Sequence, residues 1–476
     1  MREALRACWP LLLGIGLMML GNGMQGTLLG LRANIEGFPT AVTGIVMSGY
    51  YVGFLLGSVL TPKILGNVGH VRVFAAMASL ASTAALIHAV FPDPFVWIFF
   101  RVITGFSFAG LYIVSESWLN DTATNETRGQ ILSVYMLISL IGVAGGQFLL
   151  TIADPGGFSP FIIVSVLVSL ALIPSALTAS PMPNMQEPEK LAIRSLYKIS
   201  PLGVIGMLLI GAMQGGFFAM GAVYGGMKGF SVFQISLFMS LSVVGGALLQ
   251  IPIGQLSDIF DRRKVLMFSA MASGVLALVT LYAADHFSVY YFLGMATLFG
   301  GFCMPLYSLC IAHANDHLEP SQMVAASSGL ILINGVGAII GPIVASSMME
   351  WFGPGAFYAF MAIVAAALVI FALYRMTRSE AIPDEDQNDF VAMPVRSGVV
   401  AVGLNPEAEW EGDVEGEEEK EPEPAVPYDE VEQRPAESYR TLTKASMSIM
   451  EDLSNEDDED EDGIMDDGPS IWNRNG

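Results

Sequence analysis

The chain has 476 residues, of which 53% are hydrophobic and 14% charged, with a mean hydropathy of +0.55. A soluble globular protein carries about 25% charged residues, and the charge here is unevenly placed. Residues 379–476 hold 30 of the 45 acids and 6 of the 22 bases, a net of −24, which leaves the first 378 residues almost neutral and too apolar and too large to be a soluble core.

Apolar stretches of bilayer-spanning length, about 20 residues each, recur along the body. In chain order there are twelve, near 8–30, 41–65, 71–91, 95–118, 129–153, 158–178, 201–225, 231–256, 265–285, 288–312, 322–348 and 355–376. The first follows Arg2, Glu3 and Arg6 as a signal peptide would. It is too long for one and has no small-x-small cleavage site, so it is read as a span. Alternate loops, with the N-terminus, collect thirteen bases, among them Lys63, Arg72, Arg128, Lys198, Arg262, Arg263, Lys264 and Arg375; the opposite loops carry Arg32 and Lys228. The excess places both termini in the cytoplasm, which an even number of spans requires.

The Pro-rich stretch 179–200 divides the spans six and six. A shift of 195 residues superposes Gly105 on Gly300, Leu111-Tyr112 on Leu306-Tyr307, Asn120-Asp121 on Asn315-Asp316, Gly142 on Gly337 and Gly146 on Gly341. The expected domains are a six-helix half over 1–178, a linker over 179–200, a second half over 201–378 and a tail over 379–476. Two parallel halves are a known transporter plan, with the solute site between them.

Between the eighth and ninth spans the chain reads Gly254-Gln-Leu-Ser-Asp258-Ile-Phe-Asp261-Arg262-Arg263-Lys264. Gly254 and Asp258 share a helix face, a glycine admits a close neighbour, and a carboxylate is stabilised at a helix N-terminus. Asp258 and Arg262 can also pair across the turn, which makes the motif a conformational latch. In the fourth span Arg101 and Glu116 are ionisable groups inside a membrane helix, a functional signal by default. Fifteen residues, about 22 Å of helix, keep them from pairing. Glu116 is expected either to pair with Arg72 or Arg128 or to exchange a proton. Gly142-x-x-x-Gly146 and Gly337-x-x-x-Gly341-Pro342 are helix-contact signals.

These features resemble the major facilitator superfamily over roughly residues 8–376. Val-x-Glu-Ser at 114–117, Thr127-Arg128-Gly129, Leu-x-x-Tyr-Met at 132–136 and Gly-x-x-x-Gly-Gln at 142–147 resemble its YcaD-like branch. The resemblance implies an all-α fold of twelve transmembrane helices in two parallel repeats, working by alternating access on a small-molecule solute. Arg101-Val-Ile-Thr-Gly105 resembles the helix-4 arginine motif linked with proton coupling. The first-half copy of the latch, Pro62 to Arg72, has Gly66 where the acid would stand. Gly341-Pro342 resembles the antiporter Gly-Pro element but sits in the eleventh span. The family plan turns Asn22, Gln25, Tyr112, Gln214 and Tyr307 toward the cavity.

The tail is rich in Pro, Glu and Asp and reads as disordered. Asp458 to Gly463 mimics the start of a calcium loop, but position twelve is Pro469, which excludes an EF-hand. Residues 439–453 have the pattern of a short helix for a protein partner, and the composition favours a solvated, electrostatically repelling tail over it. The cysteines Cys8, Cys303 and Cys310 form no disulfide framework. The sequence has no nucleotide loop, no zinc spacing and no nucleophile–base pair, so no cofactor, metal, nucleic acid or enzymatic activity is expected. The reading is a monomeric secondary transporter of the bacterial inner membrane, with protons and the lipid bilayer as its other partners. Its alternative is a non-transporting receptor or scaffold acting through the tail.

Overall fold

A computed structural model describes residues 2–124, 127–176, 193–318, 322–378, 387–393, 398, 400 and 401. All of them lie in one compact unit, Met1–Gly412. The expectations for 439–453 and 458–469 fall outside the described residues.

The helices are α1 (Arg2–Ile35), α2 (Thr40–Val68), α3 (His70–Val90), α4 (Pro94–Thr122), α5 (Arg128–Leu149), α6 (Ser159–Ala176), α7 (Ile193–Ile199), α8 (Pro201–Met227), α9 (Val232–Ile259), α10 (Arg262–His286), α11 (Val289–Cys303), α12 (Leu306–Asn315), α13 (Met323–Phe352) and α14 (Ala356–Met376). Among the described residues twelve stretches are long and apolar enough to cross a membrane, α11 and α12 together forming the tenth. The short α7 occupies the end of the expected linker and buries Leu196. Large apolar side chains such as Leu60, Ile162, Leu170, Ile251, Leu278 and Ile370 point outward and are exposed. Water would make such a surface aggregate; lipid tails match it, and helices satisfy every backbone group there internally.

Local chemistry places the helix starts. Asp93 accepts from the N–H groups of Phe95 and Val96 ahead of α4, with Pro94 in the first turn. Ser231 and Gln234 form a capping box on α9, and Asp261 caps α10 by accepting from the Arg263 N–H at 3.0 Å. Such caps satisfy donors that the helix leaves orphaned. Gly37 and Gly229, at φ +72° and +74°, end α1 and α8 in the same left-handed turn.

The two halves repeat one pairing scheme. α1 packs on α5 and α6, α2 on α4, and α3 on α4 and α6; correspondingly α8 packs on α13 and α14, α9 on α11, and α10 on α11 and α14. Gly142 and Gly146 lie against α1, where a Cβ would collide with Met19 and with the Leu20 carbonyl. Gly337 and Gly341 lie against α8 in the same way, meeting the carbonyls of Leu208 and Ala212. Next to Gly341, Pro342 turns its carbonyl toward Gly44 of α2.

The packed chain also extends past 378. Met393 and Ala401 are buried at 2% and 0% exposure, inside the stretch that composition alone assigned to a solvated tail.

Gly341→Leu is expected to destabilise the protein by overpacking, which costs about 1–3 kcal/mol, and to lower its melting temperature in detergent. Gly66→Ala, where an added Cβ meets nothing within 4 Å, is expected to leave it unchanged. Equal melting temperatures for the two variants would contradict this account.

Candidate functional site

Away from the termini the halves touch directly. The Ala41 N–H donates to the Glu350 carboxylate at 2.6 Å, Ser48 Oγ to the Ile339 carbonyl at 2.8 Å, and Ser240 Oγ to the Ala144 carbonyl at 2.9 Å. Toward the end where α1 begins, α5 and α9 part around a cavity of about 380 Å³. Its wall is mostly apolar, with Met19, Met136, Val143, Phe218, Val243 and Met304, and its polar members are Ser133, Ser139 and Gln250. A cavity of about 60 Å³ lies between α2 and α13.

Of the five cavity candidates, Tyr307 lines the smaller space and none lines the larger. Of their helices, α1 and α8 reach the larger cavity, through Met19 and Phe218. Asn22 donates to the Tyr112 hydroxyl at 2.5 Å and to the Tyr50 hydroxyl at 3.4 Å. Arg101 lies over the Tyr50 ring, 4.6 Å from its centroid, a cation–π contact. These residues form one buried polar cluster spanning α1, α2 and α4. Gln25 is buried, and its amide atoms have no hydrogen-bond partner among the described residues. Gln214 braces the break between α11 and α12. The Gln214 amide donates to the Cys303 and Met304 carbonyls, just before Pro305, at 3.2 and 3.4 Å.

A charged hub lies at the termini end. Arg262, 1% exposed, donates to Asp258 at 2.9 Å, to Asp316 at 2.6 Å and to the Asn388 carbonyl at 2.7 Å. Asp261 binds Arg263, its Oδ2 3.0 Å from Nη2. Burial pushes the Asp316 carboxyl up to about 6, against the lowering effect of the Arg262 charge. Burial likewise lowers His317. In the first half His70 opens α3 as Arg262 opens α10, and its Nε2 lies 3.0 Å from Ser117 Oγ and 3.6 Å from Asp121. Asp121 is the repeat mate of Asp316.

Glu116 departs from the expected arginine pair. Its Oε1 accepts from the Tyr135 hydroxyl at 2.8 Å and from the Gly398 N–H at 2.7 Å. Arg72 is exposed and Arg128 half-buried. Tyr135 belongs to the Leu-x-x-Tyr-Met motif, and Asp316 stood in the repeat, so both had a signal in the sequence. Asn388 and Gly398 had none.

A profile of the Major Facilitator Superfamily matches residues 11–242 and 228–410. The chain belongs to this superfamily, and so to a family of membrane transporters. It is 28% identical over 366 residues to an uncharacterised MFS-type transporter of Enterobacter sp. (strain 638), covering 76% of this chain and 94% of that one. It is 27% identical over 365 residues to the uncharacterised transporter YcaD of Escherichia coli O6:K15:H31 (strain 536 / UPEC), with the same coverage of 76% and 94%. Its fold is similar to that of the nucleoside transporter NupG, with a TM-score of 0.67 at 15% identity over 78% of this chain and 99% of that one. It is also similar to a bacterial homolog of the human lysosomal transporter Spinster in an inward-facing and occupied conformation, with a TM-score of 0.63 at 15% identity over 79% and 97%.

Folding takes up a proton at Asp316, because its carboxyl is raised above the ordinary value. Its stabilising contribution is therefore complete below about pH 4 and is lost as pH rises through about 6. Melting curves of the parent protein are expected to show this decline and those of Asp316→Asn to lack it. Parallel pH profiles would count against the assignment.

Proposed function

We propose that the protein is a secondary active transporter that carries a small, largely apolar solute by alternating access of its two six-helix halves. The observation that carries this reading is the cavity. It lies between the halves, sealed on one side by direct helix contacts and bounded on the other by the termini end. The wall favours an uncharged or amphipathic solute, since Ser133, Ser139 and Gln250 supply its polar groups amid apolar side chains. Met19, Met136 and Met304 are flexible and polarizable, which suits a binding surface tolerant of shape. The excess of basic loop residues at the termini end puts that end in the cytoplasm.

Coupling to protons is part of the proposal, with Glu116 as the exchanging group. A group whose protonation differs between two conformations converts a pH gradient into a population shift, limited by its differential stabilisation of the two. Arginine stays charged, so Arg101 acts by holding the Tyr50–Asn22–Tyr112 cluster or by attracting an anionic part of the solute. The hub at Arg262 is the conformational latch, because it ties α9, α10 and the end of α12 together at one point.

Two measurements in reconstituted vesicles test this. Ala247→Trp, which fills the cavity from α9, is expected to lower flux by more than about tenfold, equivalent to about 1.4 kcal/mol in the barrier, while the protein stays folded. Unchanged flux would remove the cavity from the transport path. Glu116→Gln is expected to reduce accumulation driven by an imposed pH gradient more than exchange without a gradient. Equal loss of both would take Glu116 out of the coupling step.

A further inference from the structure

The described residues of 387–401 lie across the termini end of the bundle, held mainly through their backbone. The Asn388 N–H donates to Asp316 at 3.2 Å, and the Phe390 N–H to Asp258 at 3.0 Å. The Met393 N–H donates to Ser308 Oγ at 3.0 Å, and the Met393 carbonyl accepts from Gln250 at 3.3 Å. Farther along, the Gly398 N–H donates to Glu116 at 2.7 Å and the Val400 carbonyl accepts from Asn120 at 3.3 Å. Ser308 and Gln250 belong to the second half; Glu116 and Asn120 belong to the first.

Two side chains anchor the segment. Met393 is 2% exposed. The Phe390 ring lies so close over Gly254 that a Cβ there would collide with it, so the small residue of the latch motif makes room for the chain's own tail. Between them Ala392 forms part of the wall of the larger cavity. Chain without sheet or helix partners must find other groups for its polar backbone, and here the bundle's buried side chains supply them.

We propose that this segment is an autoinhibitory strap that seals the cavity mouth and ties the two halves at that end, so that solute passes only after the strap has left. The geometry imposes this in two ways. The strap stands in the path between the cavity and the termini end. It also bonds to both halves, so they cannot close together there while Phe390 and Met393 fill the gap. Asp258, Arg262, Asp316 and Glu116 hold the strap in this state. The inhibitory role rests on the transport reading above; the sealing does not.

The test uses Ala247→Cys in the cavity wall as a reporter, since Cys8, Cys303 and Cys310 are buried. A water-soluble maleimide is applied from the termini side, and solute flux is followed in the same vesicles. Met393→Lys, which places a charge at the strap's anchor and leaves the bundle untouched, is expected to raise the labelling rate at least about tenfold. Truncation after Arg378 is expected to do the same, and a synthetic peptide of residues 387–401 to restore protection to the truncated protein. Both variants should keep a cooperative melting transition; if the truncated chain does not, Met393→Lys decides alone. Labelling that is equal with and without the intact strap overturns the proposal, whatever the flux. Faster labelling without any flux supports the seal and overturns the transport reading instead.

Discussion

A polypeptide in lipid has no water to satisfy its backbone, and this constraint governs the whole molecule. Helices satisfy it segment by segment, but they must then find one another without a hydrophobic force to drive them together. Small residues meet that need. Gly142 and Gly146 let α5 touch the backbone of α1, and Gly337 and Gly341 let α13 touch α8. Each half is built on the same contact, and the cavity opens where α5 and α9 part.

The halves share a topology but differ in their electrostatics. A buried guanidinium needs several partners to offset its desolvation, and Arg262 draws together Asp258, Asp316 and the carbonyl of Asn388. At the matching place in the first half stand His70 and Asp121, 3.6 Å apart, with Gly66 where the acid would be. The second half therefore carries a buried, multiply paired guanidinium where the first half carries an imidazole. The same centre bonds to the backbone of Asn388 and Phe390.

Two of the polar side chains expected in the cavity brace neighbouring helices instead. Gln214 bonds to carbonyls at the break between α11 and α12, and Asn22 links Tyr112 to Tyr50 beneath Arg101. What is left to line the larger cavity is chiefly methionine, aliphatic and aromatic surface. A molecule held there would meet shape and apolar area, with few groups to fix its orientation.

The sequence by itself determined the class of fold, because the features that carry it are local. Length and hydropathy define each span, one offset of 195 residues reveals the repeat, and short motifs such as Gly254 to Lys264 carry the family resemblance. The latch pair Asp258–Arg262 was legible for the same reason, being one helical turn apart. The tertiary structure decided which side chains face the cavity, since a polar residue on a buried face bonds to whatever the neighbouring helix presents, and composition does not say what that is. It also decided the partners of Glu116, and it brought residues 387–393, 398, 400 and 401 of an acidic, Pro-rich stretch back into the bundle. That segment binds through backbone groups, which every residue possesses, so its docking is written in the shape and charge of the site and not in the segment's own pattern.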